Sequence, residues 1–413
     1  MSKQLTIGLF GFGVVGEGLF RVINESKIND VSIRKIVVKD PNKKRSIGKE
    51  NFTYEQNDIL NDPDINLVVE LINDAEAAYT IVVEALKRKK NVVSANKKLI
   101  ALHLQELIQL AKENNVSFLY EAAVGGAIPI LRNLEEYYNN DLLNSVEGIV
   151  NGTTNYILTK ISEGDSFDNA LTVAQELGFA ELNPTMDVDA FDAKFKLIIL
   201  IKHAFGLTVN EKNIQHVGIK NIKVQDAAFA KEKRFKIKLI ARAQRTDDGI
   251  IGFVAPHFVE DVNLLYNVND EFNGLVVEGA FADRQLFYGK GAGSYPTASA
   301  VLSDISAIKY DYKYEYKKST ESQAKLSNDF LVRVYIGSPF VELINEIPFV
   351  RVDEVFQSID YSFQIGWVDF NELKKFQFNS MQDLSIIFLQ EPILSKKDAA
   401  KLKSPNKLFQ VEF

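Results

Sequence analysis

Asp192 and Lys196 stand four residues apart and run directly into Leu197-Ile198-Ile199-Leu200-Ile201. At that spacing the two side chains share one helix face, and the apolar run behind them predicts a buried helix. A charged pair leading into a buried helix is either a core ion pair or a reactive site, and spacing alone leaves both open. The chemistry open to the pair is proton transfer. Lysine has a reference pKa of about 10.4, and desolvation or a nearby cation brings it toward neutrality, where it serves as acid or base. Lys97, in the run Ser94-Ala95-Asn96-Lys97-Lys98 behind an apolar strand, is the second lysine so placed. Glu181 and Asp192 would supply negative charge for a substrate ammonium, so the set predicts an amino-acid alcohol as substrate.

Composition narrows the alternatives. The 413 residues exceed what one core supports, so two or three domains are expected. A hydrophobic content of 46% and a charged content of 25% are ordinary for a soluble globular protein. With a formal net charge of -7 and scattered basic residues, nothing resembles a nucleic-acid footprint. The sequence contains no cysteine, which excludes thiolate catalysis and cysteine-ligated zinc and suits a reducing cytoplasm. His103, His203, His216 and His257 never fall at metal-ligand spacing, and none is nominated. The N-terminus lacks a cleavable signal pattern and no apolar run is long enough to span a bilayer, so a cytoplasmic protein is expected.

The elements that must position these residues follow from periodicity. Residues 4–10 form an apolar strand, followed at once by Gly11-Phe12-Gly13-Val14-Val15-Gly16, a helix to about Ile23 and a second strand from Ile33 to Val38. That order is the setting in which a GxGxxG loop binds a dinucleotide. Its glycines allow the tight turn, backbone approach to the pyrophosphate and close helix–strand packing, and the helix N-terminus offers N–H groups to phosphate. Behind the second strand come Lys39, Asp40, Lys43, Lys44 and Arg45. Cations there favour NADP, whereas Asp40 keeps NAD open.

Strands at 67–72, 91–94 and 117–120 alternate with helices at 76–88 and 99–114, which implies an α/β fold with a doubly wound parallel sheet. Beyond about residue 140 the texture changes. Asn151-Gly152-Thr153-Thr154-Asn155 turns into a helix, a second helix runs from Ser166 to Leu177 before Gly178, and a third starts near Asp189. The stretches 233–260 and 274–288 alternate as strands do, giving an α+β domain whose sheet is available for subunit pairing. A second glycine-rich loop, Gly289 to Ser294, leads into a helix from about Thr297 to Ile308. Residues 309–328 read as a polar connector, and 329–413 as a small C-terminal α+β appendix with strands at 330–336 and 384–389 and an amphipathic segment near 353–360.

Five ordered segments carry a resemblance: SANKK (94–98), EAAVGGAIPIL (121–131), NGTTNYIL (151–158), AELNPTMDVDAFDAKFK (180–196) and GKGAGSYPTASAV (289–301). Together they resemble the signature segments of homoserine dehydrogenases over about residues 5–310. The resemblance implies NAD(P)-dependent interconversion of L-homoserine and L-aspartate 4-semialdehyde, in the route to threonine, methionine and isoleucine. It also implies an N-terminal Rossmann domain over 1–138, completed by the helix at 297–308, and a homoserine-binding and dimerisation domain over 139–296. The segment 329–413 resembles only loosely the regulatory ACT domain of some members. A homodimer or higher homo-oligomer is expected.

Carried over position by position, the catalytic lysine falls on Lys196, with Lys97 beside cofactor and substrate. The homoserine-binding positions fall on Gly178, Glu181 and Asp192. Cofactor contacts fall on Gly11, Phe12, Gly13, Val14, Val15, Gly16 and Lys39, with Gly291 and Gly293 closing on the nicotinamide side. A monovalent cation, with sodium the expected ion, would use Glu121 and the carbonyls of Val124, Gly126 and Ile128. The plainer reading of Glu121 is a strand-end carboxylate capping nearby amides. The chain departs from the family pattern at Asn73-Asp74, where Gly-Gly is common, at Asn183, where aspartate is usual, and at Ala190, where glycine is usual. Gly337-Ser338-Pro339 replaces the turn expected in an ACT domain. The competing reading is a non-catalytic nucleotide-binding regulator on the same fold.

Overall fold

Short, fully apolar strands separated by helices pack as a sheet covered on both faces. The computed structural model describes residues 4–26, 30–139, 142–321, 324–376, 378–379, 381–390, 393–397 and 402. The chain divides into two units, one of residues 1–141, 198–211 and 289–322, the other of 142–197, 212–288 and 323–413.

In the first unit, strands β1 (Leu5–Phe10), β2 (Val31–Val37), β3 (Phe52–Thr53), β4 (Leu67–Glu70), β5 (Asn91–Ser94) and β6 (Phe118–Leu119) form a parallel sheet in the order β3-β2-β1-β4-β5-β6. This is the doubly wound dinucleotide-binding order, whose switch point lies between β1 and β4. Every residue of β4 and β5 is buried. Helices Val14–Glu25, Ala75–Lys87, Lys97–Glu113 and Ser294–Ile308 belong to this unit. The stretch expected as a polar connector is packed instead. Tyr312, Tyr314 and Tyr316 alternate, Tyr314 is buried, and the Tyr316 and Tyr120 hydroxyls are 2.9 Å apart. The alternation of Tyr with charge there was a packing pattern, with one side turned inward.

The second unit holds an 11-stranded mixed sheet. Its strands are β7 (Leu143–Ile149), β8 (Gln215–His216), β9 (Lys236–Thr246), β10 (Gly249–Val259), β11 (Phe272–Gly279), β12 (Asp283–Lys290), β13 (Phe330–Ser338), β14 (Phe349–Gln357), β15 (Ser362–Asp369), β16 (Ser385–Leu389) and β17 (Leu394–Ser395). Their main path is β12-β11-β7-β9-β10-β16-β13-β15-β14. From β13 to β16 the chain runs strand-helix-strand-strand-helix-strand with antiparallel neighbours, the ferredoxin-like arrangement. The amphipathic segment near 353–360 is the outer strand β14 and the turn behind it.

These C-terminal strands are not a detached body. β16 pairs in parallel with β10 at His257↔Phe388 and Phe258↔Leu389. One core joins Ile251, Phe253 and Ala255 of β10 to Phe330, Val334, Ile336 and Phe388. The helix expected to start near Asp189 begins two residues later, behind a separate short turn. Thr185–Val188 forms one turn, Ala190 takes φ +66°, and Phe191–Phe205 follows.

Candidate active site

The second unit builds its polar centre on one amide. Asn151 caps the helix Gly152–Ser162, its Oδ1 accepting from the Thr154 amide at 2.8 Å and from the Thr154 hydroxyl at 3.0 Å. Its Nδ2 donates both protons, to Asp187 Oδ1 at 2.7 Å and to Asp192 Oδ2 at 2.9 Å. Asp192 Oδ2 also receives Lys196 Nζ at 2.6 Å, and the same ammonium donates to the Val150 carbonyl at 2.6 Å. Asn151, Asp192 and Lys196 are all buried. One amide thus joins two carboxylates, and one ammonium pairs with one of them, Asp192. Removing one partner from such a buried group costs roughly 3–5 kcal/mol, because the charge left behind has no water to turn to.

An ammonium has three donors. Two on Lys196 go to Asp192 and Val150, and among the described residues no hydrogen bond takes the third. The Asp192–Lys196 pair is therefore a buried ion pair with one N–H still able to donate. Lys238 braces the same helix from farther along. Its Nζ bonds Asn155 Oδ1 at 3.1 Å and the Val268 carbonyl at 2.6 Å, and burial lowers its pKa to about 7.

Not every nominated residue joins this centre. Gly178, at φ +77°, ends the helix Phe167–Glu176, and a Cβ there would meet nothing within 4 Å. Glu181 is exposed, and its backbone carbonyl accepts from Gln175 Nε2 at 3.0 Å. Among the described residues no hydrogen bond or ion pair joins its carboxylate to Asp192 or Lys196. Asn183 bonds its own turn, Oδ1 accepting from the Thr185 hydroxyl at 2.7 Å. Ala190 occupies a left-handed position where a Cβ costs roughly 1–2 kcal/mol. Hydrogen bonds from its N–H to the Asp187 carbonyl, at 2.8 Å, and from the Lys194 amide to its own carbonyl, at 3.0 Å, hold it there.

The first unit builds a different kind of site, from backbone. Gly11 turns at φ +97°, and a Cβ there would sit 2.6 Å from the Leu71 carbonyl. A Cβ on Gly16 would sit 2.3 Å from the Gly11 carbonyl. Gly13, by contrast, faces open space and caps the helix Val14–Glu25 without any side-chain bond. Val14 is 70% exposed beside it, whereas Val15 and Phe12 turn inward. The loop thus presents bare amides at a helix N-terminus, which fits a pyrophosphate. Phe12 packs edge-on against Phe52 at 5.2 Å, and Arg45 lies over the Phe52 ring at 5.1 Å. Lys39 is exposed at the end of β2. Asp40 Oδ1 is occupied by the Asn42 amide at 2.8 Å.

Lys97 is the first residue of the helix Lys97–Glu113, capped by Asn96, whose Oδ1 accepts from the Leu99 amide at 3.0 Å. Glu70, at the carboxyl end of β4, anchors this turn. It accepts from the Ser94 hydroxyl at 2.6 Å and the Ile72 amide at 2.7 Å, and burial pushes its carboxyl up to about 7. Asp74 caps the helix Ala75–Lys87, accepting from the Glu76 and Ala77 amides at 3.1 Å. Its departure from a Gly-Gly pair therefore has a structural use.

Glu121 is buried and caps as well. Its two oxygens accept from the Leu131 amide at 2.7 Å and the Arg132 amide at 2.9 Å. Burial raises its pKa and that of Asp304, whose Oδ2 accepts from the Glu121 amide at 2.8 Å. Val124, Gly126 and Ile128 follow in the same buried loop, with the Ile128 carbonyl accepting from Ile130 at 2.9 Å. Glu121 Oε2 also lies 3.5 Å from Arg132 Nε, so the carboxylate has a cation beside it already; a carboxylate and loop carbonyls are the oxygen donors a hard monovalent cation takes. Among the described residues no group of three His, Asp or Glu is placed to hold a metal. A Cβ on Gly126 would lie 2.5 Å from the Gly291 carbonyl, so the second glycine loop packs on this one. Gly293, at φ +121°, caps the helix Ser294–Ile308.

Residue spacing pointed to Asp192 and Lys196, and it missed Asn151, Asp187 and Glu70. The signals were present: an asparagine ahead of Gly-Thr-Thr reads as a helix cap, and Asp187 stands five residues before Asp192.

Comparison with known proteins follows the same division. A family model described as "Homoserine dehydrogenase, NAD binding domain" matches residues 11–121, and one described as "Homoserine dehydrogenase" matches 129–306. The homoserine dehydrogenase of Bacillus subtilis is 35% identical over 422 aligned positions, covering 93% of this chain and 96% of the relative. A crystal structure of a homoserine dehydrogenase from Thiobacillus denitrificans superposes with a TM-score of 0.84 at 27% identity, over 95% of this chain and 100% of that one. A hyperthermophilic archaeal homoserine dehydrogenase mutant in complex with NADPH superposes with a TM-score of 0.65 at 28% identity, over 75% and 99%.

Proposed function

This chain belongs to the homoserine dehydrogenase family, and on that premise we propose that it interconverts L-homoserine and L-aspartate 4-semialdehyde with Lys196 moving the proton. The observation that carries the reading is the buried Asn151–Asp192–Lys196 centre, with half-buried Asp187 bonded to Asn151. A nicotinamide dinucleotide, when bound, supplies hydride transfer at the carbon bearing the hydroxyl. In reduction the Lys196 ammonium gives the proton on its third N–H to the carbonyl oxygen, and in oxidation the neutral amine takes the hydroxyl proton at that same position. Asp187 and Asp192 bind the substrate ammonium, and the family pattern adds Glu181 and Gly178, which stand outside the bonded centre. Lys97, at its helix N-terminus, is the second acid/base candidate.

Gly11 to Gly16 hold the pyrophosphate through backbone amides, and Gly291 and Gly293 line the nicotinamide side. NADP is favoured over NAD, because exposed Lys39 stands just past the end of β2 while Asp40 Oδ1 accepts from the Asn42 amide. A sodium ion at Glu121, Val124 and Gly126 would offset a buried carboxylate, and no proton or hydride passes through it. The three-part division at 1–138, 139–296 and 329–413 is kept as a functional one, with an ACT-like regulatory role for the last part resting on its ferredoxin-like strand order. A homo-oligomer would use the outer strand β12, where Leu286 is 39% and Tyr288 54% exposed. No helix among the described residues is long and apolar enough to cross a membrane. The absence of cysteine suits the cytoplasm.

The test is an absorbance assay with L-homoserine and each oxidised cofactor. Turnover with NADP above that with NAD is expected, with a loss of about 10³-fold or more in kcat for Lys196→Ala. No reduced nicotinamide from either cofactor would overturn the activity, and full turnover by the variant would overturn the role of Lys196. The regulator reading loses its one support, since Asp74 is a helix cap.

A further inference from the structure

The segment carrying Asp187 and Asp192 is held from outside by residues far along the chain. Asn379, in the loop before β16, donates from Nδ2 to the Asp189 carbonyl at 3.0 Å and accepts at Oδ1 from the Gly218 amide at 2.7 Å. The same loop is pinned by Asn221, whose Nδ2 donates to the Phe378 carbonyl at 3.0 Å and the Met381 carbonyl at 2.8 Å. Residues 218–220 hold the segment from one side, through the Ile219 amide on the Val188 carbonyl at 2.8 Å and Lys220 Nζ at 3.0 Å from Asp189 Oδ1. A Cβ on Gly218 would lie 2.2 Å from the Val188 carbonyl, so the approach depends on glycine.

The clamped carbonyl immediately precedes Ala190, the left-handed residue that separates Thr185–Val188 from the helix carrying Asp192 and Lys196. An alanine does not hold that conformation by preference. It persists where surrounding bonds over-determine it. Releasing the Asp189 carbonyl lets the turn relax toward an ordinary φ and shifts the start of the helix, one residue before Asp192. A shift of this kind alters how the carboxylates meet a ligand while leaving the ammonium in place.

We propose that Asn379 is a positioning residue for the substrate carboxylates, so that the C-terminal strands form part of the machinery that binds homoserine although they do not line it. The inference rests on the reading of Asp187 and Asp192 given above. Asn379→Ala raises the KM for L-homoserine at least fivefold, changes kcat by less than twofold and leaves the Kd for NADPH unchanged. Asn379→Asp keeps an acceptor for Gly218 and loses the donor to Asp189, and so shows the same rise. In an Ala190→Gly background, where the turn needs no support, the rise caused by Asn379→Ala falls below twofold. The experiment is steady-state kinetics on the full chain for wild type, Asn379→Ala, Asn379→Asp, Ala190→Gly and the Ala190→Gly/Asn379→Ala double variant, with melting curves alongside. A homoserine KM within twofold of wild type in Asn379→Asp, or an equal rise in both backgrounds, overturns the proposal. If Asn379→Ala does not fold, Asn379→Asp in both backgrounds decides by the same criteria. A wild type that turns over no homoserine overturns the reading of the site, and the proposal with it.

Discussion

The two units build their halves of the chemistry from different materials. In the first, the dinucleotide loop is backbone: glycines whose missing Cβ atoms leave amides bare at a helix end. In the second, the polar centre is side chain: a buried asparagine, aspartate and lysine, with a second, half-buried aspartate bonded to the asparagine. The backbone site tolerates exchange of most of its side chains but not an added methyl at Gly11 or Gly16. The side-chain site tolerates no loss of a partner, because its charges have no water to fall back on.

The largest expected effect separating the two lies at Asn151. Asn151→Ala strips donors from buried Asp192 and half-buried Asp187 and should lower kcat/KM for homoserine by roughly 10²-fold or more, with a stability loss of about 2–4 kcal/mol. Steady-state kinetics and urea unfolding check both. A variant within threefold of wild type would mean that the centre is held by something else. Gly16→Ala should act on the other side. Its Cβ would meet the Gly11 carbonyl at 2.3 Å, so the loop must open. Weakening of NADPH binding by roughly tenfold is expected, with the homoserine KM unmoved; an unchanged NADPH affinity would show that the loop does not carry the pyrophosphate.

The smallest effect is one of pH. Burial raises the Glu70 carboxyl from 4.5 to about 7. The folded protein therefore holds this proton more tightly than the unfolded chain. The stability it contributes is complete below the unfolded value and is lost as pH rises through about 7. Glu70→Gln removes that slope, so its melting temperature should gain on wild type by a few degrees between about pH 5 and pH 8. Parallel melting curves across that range would show that Glu70 is not the titrating group.

How much of this was legible in the sequence differs between the same two regions. The first unit could be read almost in full. Its strands are continuous apolar runs such as Leu67–Glu70, and its loop is a glycine pattern with a fixed meaning. The second could be read only where spacing is local, as between Asp192 and Lys196. The bond from Asn151 to Asp192 spans 41 positions, and nothing in periodicity pairs them. The same limit hid the union of β16 with β10, which makes 329–413 part of the larger sheet. Deleting that segment would strip Phe253 of its packing against Phe330 and Phe388, so point variants are the sounder probe of regulation. Ala190 was visible as a departure from the family, but its left-handed turn was not.

The claim that the two halves are built separately is tested most directly by fluorescence titration of NADPH into the Asn151→Ala protein. A Kd within twofold of wild type, in a protein whose homoserine turnover has collapsed, is the predicted result. A tenfold weaker Kd in the folded variant would contradict it, because the side-chain centre would then be part of the dinucleotide site as well.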